Sequence, residues 1–177
     1  MEMRAMAVEF PTVHGHPNRL PFEGVLTLVD VISDRAPSGA RGHRVVITRA
    51  AVETALPSLL GMAVDYKVGW DGHNARQKCG IITAAELEGR RLKVLGFLFA
   101  RDFPEIEHRL LLEDSMGMSY ELADAHVADM RAPVWTLTHA TFTGAAILLR
   151  EKAAYQGTSF RLQNEPVTKR VAAAGYP

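Results

Sequence analysis

Apolar and β-branched runs recur along this chain at short intervals, each closed by glycine, proline or a polar turn. FEGVLTLVDVIS at 22–33 is apolar on both alternating faces, as a strand buried on two sides must be. RVVIT at 44–48 and MAVDYK at 62–67 are shorter strands, and MSYELA at 118–123 is another. CGIITAAEL at 79–87 and RLKVLGFLF at 91–99 read as a hairpin with Gly89 in its turn. VWTLTHATF at 134–142 is a strand that AAILL at 145–149 continues after Gly144, and 150–155 can form a helical turn. Only two stretches read as helices. Residues 49–56 have Thr48 as N-cap and end at Pro57 and Gly61. Residues 104–114 open with Pro104 and carry Glu105 and Glu107 at the positive end of the helix dipole. Ile106, Leu110 and one of Leu111 or Leu112 would supply the buried stripe of that second helix.

Many strands with no regular strand–helix alternation argue against a doubly wound parallel sheet. The expected fold is mainly β (α+β): a closed, mostly antiparallel β-barrel with a few surrounding helices. A chain of 177 residues fits one domain. Residues 22–155 carry it, after an irregular segment at 1–21 broken by Pro11, Gly15, Pro17 and Pro21. The stretch 156–177 reads as a tail or linker.

Charge and cysteine content remove several functional classes. Twenty basic and twenty acidic side chains leave a formal net charge of zero, which gives no electrostatic reason to expect nucleic acid or an anionic membrane as partner. Apolar stretches such as Phe142–Leu149 fall far short of the roughly 20 residues a membrane helix needs. The segment MEMRAMAVEF lacks the profile of a signal peptide. A single cysteine, Cys79, excludes an internal disulfide and a multi-cysteine zinc site. No phosphate-binding glycine loop, no GxGxxG, no HExxH and no GxSxG is present, so no cofactor is expected.

The chemistry then falls to histidines and serines at element boundaries. His73 sits in the loop VGWDGHNARQ, where small neighbours can expose an imidazole for proton transfer or simply leave it solvated. His139 lies in an apolar strand, as a satisfied core histidine or a functional one. Ser119 starts a strand two residues beyond Gly117 and needs a neighbouring base to become a nucleophile; Ser115 is its local competitor. Cys79 opens an apolar strand, where a packed thiol stays inert. His14 and His16 form an HxH pair without an identifiable third metal ligand. Trp70 and Trp135 read as core or cleft-wall residues.

Taken in order, these pieces resemble the prohead (capsid maturation) serine proteases of tailed phages, relatives of the herpesvirus assemblins. The matching stretches are FEGVLTLVDVISDRAPSGARGH, then WDGHNARQKCGIITAAELEGRRLKVLGFLF, then GMSYEL after a helix, then VWTLTHATFTGAAILLREKAAY. They span roughly residues 22–155. The resemblance implies an assemblin-like barrel and a serine endopeptidase with Ser119 as nucleophile and His73 as general base. His139 stands where many phage members carry an acidic residue, which implies the Ser-His-His arrangement of assemblins. Asp71, Glu121 and Asp129 remain as possible orienting acids, and Arg150 as an oxyanion donor by loose analogy. The implied substrates are the major capsid protein and a scaffold protein, processed by a homodimer inside the assembling prohead in the host cytoplasm. The rival expectation is a non-catalytic capsid-assembly or scaffold-core protein with the same fold; a histidine-based metal module is a third.

Overall fold

The structure, a computed structural model, describes residues 5–113 and 116–163. Among the described residues, nine strands form one sheet: β1 (Ala5–Ala7), β2 (Leu20–Leu28), β3 (Arg44–Ile47), β4 (Ala63–Tyr66), β5 (Lys78–Glu88), β6 (Arg91–Leu98), β7 (Met116–Val127), β8 (Val134–Leu149) and β9 (Ser159–Leu162). Two helices, α1 (Arg49–Leu59) and α2 (Pro104–Leu112), and a 3-10 turn at Arg150–Lys152 complete the described elements. The sheet runs β3-β8-β4-β5-β6-β2-β9, with β1 added on β5 and β7 added on β8. Pairing is mostly antiparallel; β3 and β4 run parallel to β8. No helix among the described residues is long and apolar enough to cross a membrane.

The mainly β expectation holds, but the barrel is not closed. The sheet curls into a half-barrel whose two sides face each other without a ladder between them. Side chains bridge the seam instead. Thr158 Oγ1 accepts from Met118 N–H of β7 at 3.1 Å and donates to Tyr155 O at 2.8 Å. The Tyr155 hydroxyl has Val31 O at 2.9 Å and Val45 O at 3.2 Å as acceptors. At this seam the Met118 N–H and the Val31 and Val45 carbonyls are thus met by hydroxyls.

β8 organises the side of the sheet that matters most. β7 pairs with one of its edges, while β3 and β4 share the other at Val134–Leu137 and Ala145–Ile147. Between those two short partners α1 crosses, and Ser58 Oγ accepts the Phe142 N–H at 2.9 Å. Thr48 caps α1 as expected, its hydroxyl accepting from Ala51 N–H at 3.1 Å. Phe22, Leu26, Ile47, Leu56, Ile82 and Phe142 fill the interior.

Several boundaries differ from the sequence reading, each for a local reason. β2 ends at Leu28 rather than Ser33 because Asp30 turns the chain at φ 56°, its carboxylate accepting from Arg49 N–H at 3.0 Å. α1 runs through Pro57, since buried Leu56 and Leu59 hold its last turn in the core. Leu111 and Leu112 are both exposed, and Ile106 is the buried residue of α2. The sheet also reaches beyond 22–155 at both ends. β1 pairs with Ala84–Glu86 and β9 with Phe22–Val25, where Phe160 stacks on Phe22 at 4.6 Å.

Candidate active site

Three residues on neighbouring strands lie in one row across the sheet. Ser119 of β7 is opposite Ala146 of β8, and Asp65 of β4 is opposite the same Ala146 from the other edge. Directly paired residues share a face, and strands stand about 4.8 Å apart, so Ser119 and Asp65 flank a gap of about 10 Å. Ala146, fully buried and small, leaves that gap open. His73 fills it from above.

The loop carrying His73 is braced on every side. Trp70 adopts φ 57°, stacks on Tyr66 at 4.9 Å, and its carbonyl accepts the Leu149 N–H at 2.8 Å. Asn74 donates its N–H to Asp65 Oδ1 at 3.2 Å, and its own side chain holds Arg76 N–H and Gln77. From α2, Glu105 accepts the Tyr66 hydroxyl and Arg109 lies over the Trp70 ring. Burial, reinforced by the Glu105 carboxylate, pushes the Tyr66 hydroxyl well above its ordinary range, so it remains a donor.

His73 Nε2 stands 3.1 Å from Ser119 Oγ. Its Nδ1 faces two carboxylates, Asp65 Oδ1 at 3.7 Å and Glu121 Oε2 at 3.8 Å, and is buried without a hydrogen-bond partner. The two acids differ in setting: the Asp65 side chain is 7% exposed and that of Glu121 52%. Glu121 shares a strand face with Ser119, two residues on. Negative charge on the Nδ1 side favours the proton there, leaving the Nε2 lone pair to accept from the serine hydroxyl. Separations of 3.7 Å exceed a hydrogen bond, and such contacts often tighten only in the substrate complex. Ser119 and His73 also line the same cavity, of about 470 Å³.

Among the described residues, Asp65, His73 and Glu121 form one group whose ligand atoms lie within 4.8 Å of one another, close enough to hold a metal ion. A cation on Nδ1 would force the imidazole proton onto Nε2 and stop it from accepting the serine proton.

The sequence expectations divide clearly. Ser119 and His73 come together. His139 does not join them: it is exposed, paired across the hairpin with His126, their rings 4.8 Å apart. Seven residues of β8 separate it from Ala146, on the order of 20 Å of strand. Glu121, one of the three acids considered, is in place. Asp71 pairs with Lys67, and Asp129 caps its own turn by accepting from Arg131 N–H. Arg150 lines a different hollow, with Leu149 and Gln156. Cys79 is fully buried, donates to Val64 O, and burial pushes its thiol up to about 12. His16 Nδ1 accepts from Asn18 N–H, a turn role, while His14 is exposed. Trp135 is a cavity wall. Ser115 lies outside the described residues.

Asp65 was missed. Its signal was a charged residue inside the apolar strand MAVDYK, where a buried carboxylate needs a partner to be tolerated. Gly117 of the GMSYEL motif also has a packing reason: a Cβ there would lie 2.7 Å from Thr158 Oγ1 and 3.1 Å from Arg150 Cα. No protein-family model matches this chain, and no curated protein matches its sequence.

Proposed function

We propose that this protein is a serine endopeptidase of the prohead type, with an assemblin-like fold, cleaving capsid and scaffold proteins inside an assembling phage head. The observation that carries the reading is the 3.1 Å contact between His73 Nε2 and Ser119 Oγ, with carboxylates behind Nδ1. Those are the two residues that the motif order pairs as base and nucleophile.

Ser119 Oγ attacks the scissile carbonyl carbon while its proton passes to His73 Nε2, and the carbonyl oxygen takes the negative charge. Asp65 and Glu121 stabilise the imidazolium that forms. When the C–N bond breaks, Nε2 returns that proton to the leaving amine. Water then attacks the acyl carbon, giving a proton to Nε2, which passes it to Ser119 Oγ as the ester C–O bond breaks and the acid product leaves. Confinement with substrate inside a shell would raise effective concentration, so a modest turnover suffices.

The test is co-expression with a capsid protein and its scaffold, followed by intact-mass measurement. Processed products with the natural chain, and none with Ser119→Ala or His73→Ala, support the reading. Unprocessed capsid protein in an assembled shell would instead make the chain a non-catalytic assembly protein. Sedimentation of the purified chain reads the proposed homodimer.

A further inference from the structure

Resting on the serine-peptidase reading, we propose that the cavity beside Ser119 is a specificity pocket for a large aliphatic or aromatic side chain of the bound peptide. Ser119 and His73 line the cavity, and Val127, paired with Leu137, lies eight residues of β7 beyond Ser119. Its apolar lining includes Val45, Leu122, Val127, Trp135 and Leu137. Its volume, about 470 Å³, lies within the range of small-ligand sites and exceeds what a methyl side chain needs.

Trp135 sets the floor. One face is covered by His43, nearly parallel at 13° and 4.4 Å away, and the indole N–H is spent on Met130 O at 3.2 Å. The ring therefore offers apolar surface and no free donor. His43 is itself held by a bond between its Nδ1 and Pro133 O at 3.0 Å, so the wall is preorganised. The charged residues in the lining are His73 and Glu121 beside Ser119, and Arg41, itself exposed, on the 37–41 segment. A Lys, Arg, Asp or Glu side chain entering the apolar end would lose its hydration without gaining a partner there. A Leu, Met or Phe side chain would exchange water for dispersion contacts.

Apolar pockets discriminate by about 10- to 200-fold per missing group at most. Replacing Leu by Ala at the recognised position should therefore lower kcat/KM about 10- to 100-fold, and Lys should do worse. The experiment incubates the full chain with a proteome-derived peptide library, identifies cleavage sites by mass spectrometry, and then ranks fluorogenic peptides bearing Leu, Ala or Lys at the enriched position. Enrichment of Leu, Met and Phe on one side of the cut supports the pocket. Val127→Asp should shift preference toward Lys. Because Val127 sits within the β7–β8 pairing, Met130→Glu, on an exposed lining residue, serves as the second variant with the same expected direction. Ser119 labelling by a fluorophosphonate separates the outcomes. Labelling and cleavage with no apolar preference would overturn the pocket and leave the peptidase reading standing. Neither labelling nor cleavage would overturn both.

Discussion

Asp65→Asn removes one negative charge behind His73 and changes almost nothing else. The substituted side chain keeps its size, and its amide oxygen can still accept the Asn74 N–H that now lies 3.2 Å from Oδ1. What is lost is attraction between the carboxylate and the imidazolium formed as His73 takes the serine proton. At the observed 3.7 Å that attraction is about 1 kcal/mol in water and about 4 kcal/mol at the dielectric of a protein surface. The Asp65 side chain is 7% exposed, which places it toward the larger figure. The expected loss in kcat is thus about 10- to 1,000-fold with KM little changed, because the charge exists only on the reaction path. In the flipped orientation the amide NH₂ would face Nδ1 in place of Oδ1, giving up the Asn74 bond and favouring the wrong tautomer, which acts in the same direction. A fluorogenic peptide assay under saturating substrate reads kcat directly. Glu121→Gln should cost tenfold or less, since that carboxylate is half exposed and screened. His139→Ala should stay within twofold of the natural chain. A loss under threefold for Asp65→Asn, together with a tenfold loss for His139→Ala, would refute the assignment of Asp65 as the positioning acid.

Four further outcomes follow from the same geometry. Gly117→Ala should destabilise the fold by about 1–3 kcal/mol, lowering Tm by several degrees, because the new methyl meets Thr158 Oγ1 at 2.7 Å; an unchanged Tm would show that the seam yields freely. The Cys79 thiol, held up to about 12 by burial, should resist iodoacetamide in the native protein at pH 8. Its folded pKa is raised, so its contribution to stability is full below about pH 9, where the unfolded thiol titrates, and is lost as pH rises toward 12. Tm measured from pH 7 to 10 should therefore fall above pH 9, less steeply in Cys79→Ala; equal slopes would contradict the burial argument. Exhaustive chelation should leave peptide hydrolysis within twofold, whereas loss restored by Zn²⁺ would reassign Asp65, His73 and Glu121 to a metal site.

The strands were legible because their apolar runs are long relative to their breaks, and Gly89 marked the β5–β6 turn through a left-handed φ of 60°. β9 was not: SFRL is four residues long and lies where the composition reads as tail. Closure was over-read, since strand count says nothing about whether the last edge finds a ladder or, as here, the hydroxyls of Tyr155 and Thr158. In the site, Ser119 and His73 carried local marks, as a strand serine near a glycine and a loop histidine. Asp65 carried little, because its role exists only once β4 and β7 flank the same residue of β8. His139 misled for a related reason. Irregularities in the β7–β8 register between Ala123 and Val127 rotate that hairpin end, so a histidine in an apolar run faces solvent.

The contact between His73 and Ser119 is tested most directly by covalent labelling. Treating the natural chain with a fluorophosphonate and mapping the adduct by peptide mass spectrometry should place one phosphonyl group on Ser119. Labelling should vanish in Ser119→Ala and slow by at least about a hundredfold in His73→Ala, the scale of a lost general base. A natural chain that cleaves peptides yet carries no adduct, or an adduct that persists undiminished in Ser119→Ala, would contradict the account.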